Sequence, residues 1–245
     1  MTTLSHPYSI FSLGDAALTI DLGNIISEAA NRKVLAMQAW LQQHAFCGLC
    51  DTIPAYSTLT VVYDPVTVRR KYQPAAAVAA WVQGQLEKAW RESGNGQPEN
   101  GNVISIPVCY DSSFGPDLAL IGKQKKKTPE EIVHLHTSVH YRVYMIGFLP
   151  GFPYLAEVDA QLSVPRKARP VPVAAGSVGI AGPQTGVYTL ASPGGWNIIG
   201  RTPIKLFDPA SPEVVKLKAG DTVRFFPITL EEYKEREQVG SVVMW

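Results

Sequence analysis

The sequence predicts an α+β chain: a small α+β unit followed by a β-rich unit of sandwich or barrel type. Three observations carry this expectation. Residues 1–92 mix apolar runs of period two with apolar stretches of helical period. Residues 93–102 carry no apolar side chain and are rich in Gly, Asn and Gln, the composition of a flexible linker. Residues 103–245 hold short apolar segments separated by turn residues, the pattern of a closed or stacked sheet. The expected boundaries are therefore 1–92, 93–102 and 103–245.

In the first unit, Ala16, Leu18, Ile20 and Leu22 alternate with Ala17, Thr19 and Asp21, as a half-buried strand requires. Ile26, Ala30, Val34, Met37 and Leu41 follow at helical spacing and predict a helix over 25–44. Ser57 to Tyr63 alternates again and ends at Asp64-Pro65, a turn signal. A second helix is expected to open at Pro74, with Val78, Trp81, Val82, Leu86 and Ala89 on or near one face. In the second unit the strand candidates are 103–108, 141–148, 178–181, 187–190, 196–199, 204–207 and 223–228. Thr128-Pro129-Glu130-Glu131 supplies an N-cap, a proline at N1 and a glutamate at N3, so a helix should run from there to about Thr137. A short helix is expected near 231–238.

Composition narrows the function. Lys+Arg number 22 and Asp+Glu 21, a net charge of +1, which argues against nucleic acid as a partner. Three cysteines, Cys47, Cys50 and Cys109, are too few for a disulfide scaffold and suit a reducing compartment. The opening MTTLSHPYSIFSLGD has no cationic start followed by an apolar core, so no signal peptide is expected. Residues 171–200 carry no charge, but their glycines and prolines describe loops and strands rather than a membrane helix.

Several motifs invite chemistry. His44, Cys47 and Cys50 offer soft ligands, but a zinc site needs a fourth, and the favoured reading is small buried residues at a helix exit. His134, His136 and His140 look like a metal cluster, with His136 and His140 one turn apart if the helix continues; one functional or core histidine with two surface ones is preferred. No metal site is expected. Gly195 to Thr202 imitates a phosphate loop with Arg201 in the lysine position. Pro203 forbids the helix that such a loop needs, so this reading is rejected. Lys123 to Lys127 reads as a solvated basic loop.

The richest stretch runs from Tyr141 to Trp196. It combines Gly147-Phe148-Leu149-Pro150-Gly151-Phe152, Pro165-Arg166, Gly176-Ser177-Val178-Gly179-Ile180-Ala181-Gly182, Gln184-Thr185-Gly186 and Ser192-Pro193-Gly194-Gly195-Trp196. With Ile53-Pro54-Ala55-Tyr56-Ser57, Ile106-Pro107-Val108-Cys109-Tyr110, Phe114-Gly115-Pro116-Asp117-Leu118, His136-Thr137 and Ile199-Gly200-Arg201-Thr202-Pro203, these motifs run in order along almost the whole chain. In them the chain resembles the family of 5-oxoprolinase B subunits, also called the allophanate hydrolase subunit 1 or KipI family. It departs from that pattern after Tyr110, where Asp111-Ser112-Ser113 replaces Gly-Gly, and in the spacing from Arg169 to Ala174.

The resemblance implies an N-terminal α+β domain followed by a cyclophilin-like β-barrel. It implies a cytoplasmic complex with a sister C subunit and an A subunit that opens 5-oxoproline to glutamate with ATP, with Mg as the expected companion ion. A lactam is a poor electrophile, and phosphorylating its oxygen would create a leaving group. Such chemistry calls for cations, amide donors and exclusion of water. Arg166 and Arg201 are the expected cations, and His136 the expected acid–base group because its free pKa lies nearest neutrality. Backbone amides at Gly176, Ser177, Gly194 and Gly195 are the expected oxyanion donors. Phe148, Pro150, Gln184, Thr185 and Trp196 complete the expected substrate and ATP walls. Tyr188, Phe148, Phe152 and Trp196 are further expected to anchor a partner subunit or line the adjacent cleft. Two alternatives remain open from sequence: a histidine-kinase inhibitor, and a carboxyltransferase-related subunit of urea or allophanate metabolism.

Overall fold

The computed structural model describes residues 7–94 and 101–239. The chain divides into two compact units, residues 1–100 and 101–245, each with its own apolar core. Most of the expected linker, residues 95–100, lies outside the described residues.

In the first unit, β1 (Ser9–Ser12), β2 (Ala17–Asp21), β3 (Leu49–Pro54) and β4 (Thr58–Tyr63) form an antiparallel sheet in the order β1-β2-β4-β3. Burial alternates along β4, so Leu59, Val61 and Tyr63 face the core while Thr58, Thr60 and Val62 are partly exposed. Helix α1 (Glu28–Gln43) starts later than the apolar spacing suggests. The Ser27 side chain accepts from the Ala30 amide and fixes the first turn there.

Two expectations fail here. Asp64-Pro65 does not end in a turn; Asp64 caps an eight-residue helix α2 (Pro65–Tyr72), accepting from the Val66 amide at 2.9 Å and from the Thr67 hydroxyl. The following helix opens at Val78 rather than Pro74: α3 (Val78–Glu92) follows Gln73, which stands in left-handed geometry at φ +46° and stops α2. Val34, Met37 and Leu41 of α1 and Val82, Leu86 and Ala89 of α3 pack with the sheet's inner face. Each of the larger side chains among them contributes about 1.5–3 kcal/mol by leaving water.

The second unit is the expected barrel, closed in the order β10-β7-β6-β13-β5-β12-β9. Its strands are β5 (Val103–Cys109), β6 (His140–Ile146), β7 (Pro153–Ala156), β9 (Ser177–Ala181), β10 (Gln184–Val187), β12 (Asn197–Arg201) and β13 (Thr222–Ile228). A two-strand ribbon, β8 (Val171–Val173) with β11 (Ser192–Gly194), stands apart from it. The strand expected at 187–190 lies earlier. A two-residue loop, Gly182-Pro183, with Gly182 at φ +58°, joins β9 to β10, and this hairpin sets the register Ala181↔Gln184. No strand forms at 204–207; Phe207 makes only an isolated bridge to Val215.

Helix α4 (Leu118–Lys125) precedes α5 (Pro129–Thr137), which carries the full capping box, Thr128 bonding the Glu131 amide and Glu131 bonding the Thr128 amide. Helix α6 (Leu230–Val239) follows β13. The barrel interior is filled by Ile106, Tyr141, Val143, Ile180, Ile199 and Phe225 among others. The uncharged run 171–200 thereby finds its reason: all of β9 and four of five residues of β12 are buried barrel wall. No helix among the described residues is long and apolar enough to cross a membrane.

Candidate functional site

One surface of the barrel unit combines a cation, an exposed proline and aromatic rings. Arg166 is exposed on the loop that follows the Val164–Gly182 bridge. Three bonds hold that loop: Lys167 donates its amide to Gly195 O at 2.7 Å, Asn197 Nδ2 donates to Pro165 O at 2.9 Å, and Lys167 Nζ meets Asp117 Oδ2 at 2.6 Å. Asp117 is nearly buried at the entry to α4, and the same oxygen accepts the Ile198 amide at 2.7 Å. The loop is thus tied both to β12 and to the start of α4.

The Arg166 guanidinium lies beside Gly195, where a Cβ would stand at an ordinary contact distance of 3.5 Å from it. Beneath it is a knot of perpendicular rings: Phe152 packs edge-on against Tyr154, Tyr188 and Trp196, and Phe148 against Phe152 and Tyr188. Gly194 is the constrained position, because a Cβ there would run into the Tyr188 hydroxyl. Burial pushes the Tyr154 and Tyr188 phenols up, and the Arg166 charge pulls part of that shift back. Phe148 is 60% exposed and stands at φ +67°, a left-handed position that an L-residue occupies only where its surroundings enforce it. Pro150 is exposed beside it, and its carbonyl accepts the Thr189 hydroxyl at 2.7 Å. Arg166, Phe148 and Pro150 therefore share one surface, with Gly194, Gly195 and Trp196 buried beneath it.

The remaining expected residues are placed elsewhere. His136 is 0% exposed, inside the barrel core. Its Nδ1 meets the Tyr110 hydroxyl at 2.8 Å and its Nε2 the Thr185 hydroxyl at 3.0 Å. Burial lowers its pKa to about 3, which corrects the expectation of an acid–base group poised near neutrality. Thr185 is equally enclosed, passing its proton to Gly179 O, and Gln184 begins the same strand. The amides of Gly176 and Ser177 are already engaged, by Tyr188 O and Ala174 O, so they form no oxyanion hole. Arg201 belongs to a separate cluster: its guanidinium lies 5.0 Å over Phe114, and its charge and a hydrogen bond act on Tyr233.

Of the expected partner anchors, Trp196, Tyr188 and Phe152 are core residues, and only Phe148 faces out. His140 opens β6 rather than extending α5, so it shares no helical face with His136. Cys47 and Cys50 are exposed, not buried as expected, because Gly48 at φ +98° turns the chain outward between them.

A triphosphate does not fit these residues alone. The Gly195–Thr202 segment holds strand β12 instead of a loop leading into a helix, and the two expected cations stand in different clusters. Sequence reasoning misses Asp117, Lys167 and Tyr110 as supports of the site. Asp117 lies within one of the family motifs, but a pairing fifty residues away leaves no local signature.

The fold falls in one class, that of the carboxyltransferase domain with its subdomains C and D. A profile for the carboxyltransferase domain, subdomain C and D, matches residues 8–217. A 5-oxoprolinase B subunit of Bacillus subtilis (strain 168) is 42% identical over 229 residues, covering 92% of this chain and 95% of that protein. A protein of the same name from Escherichia coli O157:H7 is 38% identical, covering 89% of this chain and 94% of its own length. Among solved structures, that of TTHA0988 superposes with a TM-score of 0.73 at 38% identity over 86% of this chain, which spans only 39% of that longer one. The chain belongs to the family of 5-oxoprolinase B subunits.

Proposed function

We propose that this chain is one subunit of an ATP-dependent 5-oxoprolinase, hydrolysing 5-oxo-L-proline to L-glutamate with a C and an A subunit in the cytoplasm. The observation that carries the reading is the end-to-end match to relatives of that name. It favours this role over kinase inhibition or urea and allophanate metabolism. The Arg166 surface supports it chemically. A 5-oxoproline molecule presents a carboxylate and a compact apolar ring; Arg166 suits the first and the exposed face of Phe148 the second. Because these residues do not cradle a triphosphate, the proposal leaves the nucleotide to the partner subunits.

The test is reconstitution of the three subunits with 5-oxoproline and ATP, reading glutamate release. Activity should vanish when this chain is omitted; full activity without it overturns the reading. Arg166→Ala should lower kcat/KM by about 10- to 100-fold, the worth of a hydrogen bond to a charged group. Its melting temperature should stay that of the parent, since the side chain is exposed.

A further inference from the structure

A second concave site lies wholly within the first unit. A cleft of about 520 Å³ opens between the β1–β2 turn and helix α2, lined by Asp15, Tyr63, Arg69 and Arg70 over an apolar floor that includes Val66 and Val78. That volume falls in the range of about 300–1,000 Å³ typical of small-molecule sites. Gly14, at φ +65° with nothing near its Cβ position, leaves the backbone bare at the rim.

Tyr63 supplies the cleft with a donor. It is 3% exposed, with its ring in the core of the unit, yet its hydroxyl has no hydrogen-bond partner among the described residues. Burial and then the Asp15 charge push the phenol up, so it stays protonated and ready to donate.

The charges select the ligand. Two arginines and one aspartate line the cleft, and Asp64, outside that lining, also acts on Arg70. A phosphate would satisfy the arginines but be repelled by Asp15, and a simple dicarboxylate would leave Asp15 without a partner. A ligand with two carboxylates and one ammonium, net −1, answers all three. We propose that this cleft binds a small amino dicarboxylate, with Arg69 and Arg70 taking the carboxylates, Asp15 the ammonium, and the Tyr63 hydroxyl donating to a carboxylate oxygen. The proposal stands apart from the lactam reaction, and its test reads binding to this chain alone.

Titration of the full chain with L-glutamate, followed by amide chemical shifts, provides that test. Saturable shifts should concentrate at Ser12, Gly14, Val66 and Ala79, which line the cleft. The double variant Arg69→Gln/Arg70→Gln should weaken binding at least about tenfold, as loss of charge-assisted bonds predicts. Tyr63→Phe keeps the packed ring and removes only the lone hydroxyl, so it should weaken binding severalfold without lowering thermal stability. Succinate, lacking the ammonium, and inorganic phosphate should bind more weakly than glutamate. Failure of glutamate to produce saturable shifts at millimolar concentration overturns the proposal. So does equal binding of succinate or phosphate, or unchanged affinity in the arginine double variant.

Discussion

The imidazole of His136 meets the rings of Phe225 at 4.8 Å, Tyr141 at 5.4 Å and Tyr110 at 5.9 Å, and two hydroxyls. Its tautomer follows from counting protons. Thr185 donates its only hydroxyl proton to Gly179 O, so it accepts from Nε2–H, and Nδ1 then accepts from Tyr110. The neutral ring is satisfied on both sides, and a second ring proton would face another hydroxyl proton. The folded-state pKa, about 3, lies below the free value of 6.5. As pH falls below 6.5 the unfolded chain takes up a proton that the folded chain refuses. Stability is therefore lost between pH 6.5 and about 3, by up to about 1.4 kcal/mol per pH unit from this residue. His136→Gln should lower stability at pH 7 but flatten that dependence, and denaturant unfolding of both proteins at pH 7 and pH 5 would show it. Equal pH slopes would contradict the assignment. The sequence shows a histidine among motif residues; it cannot show that Tyr110, Thr185 and Phe225 close around it from three separate segments. Arg166 is legible for the opposite reason: a cation flanked by proline in a loop has few options other than the surface.

Elements are legible where their signals are local. The capping box at Thr128 and the alternation along β4 depend on neighbours within a few residues, and both stand as expected. Helix α2 escapes a sequence reading because Asp64-Pro65 serves equally as a turn and as a helix start, and nothing nearby distinguishes them. The loop carrying Arg166 is an element of the second kind, shaped by a distant partner. Asp117 holds it through Lys167 and also accepts the Ile198 amide, whereas among the described residues the Lys167 side chain makes only the ion pair. Asp117→Ala should therefore cost about 1–3 kcal/mol, because it strands a buried N–H, and Lys167→Met less than about 1 kcal/mol, because its pair is partly exposed. Chemical denaturation gives the ranking, and a larger loss in Lys167→Met would reverse the argument. Hydrogen exchange at Ile198 should accelerate only in the aspartate variant.

At the scale of the whole molecule, the two cores share no residue. Fragments spanning 1–100 and 101–245 should each fold alone, and each should melt cooperatively by circular dichroism; a fragment lacking a cooperative transition would show that its core is incomplete. The barrel fragment carries a further constraint. Strands β5 and β13 form the single parallel pair among the described strands, matched from Thr222↔Val103 to Ile228↔Cys109, and Asn102 and Asp221 bond at their shared end. The first strand of the barrel meets β12 at a single register pair, Arg201↔Cys109, and waits for β13, its main partner, until more than a hundred further residues have been made. On a ribosome, the backbone edge of β5 that meets β13 would remain unpaired through nearly all of that interval, as a closure between distant segments must come late. For a cell, the time of greatest exposure to aggregation is set by this one pairing, and the duty of shielding falls on whatever meets the nascent chain first.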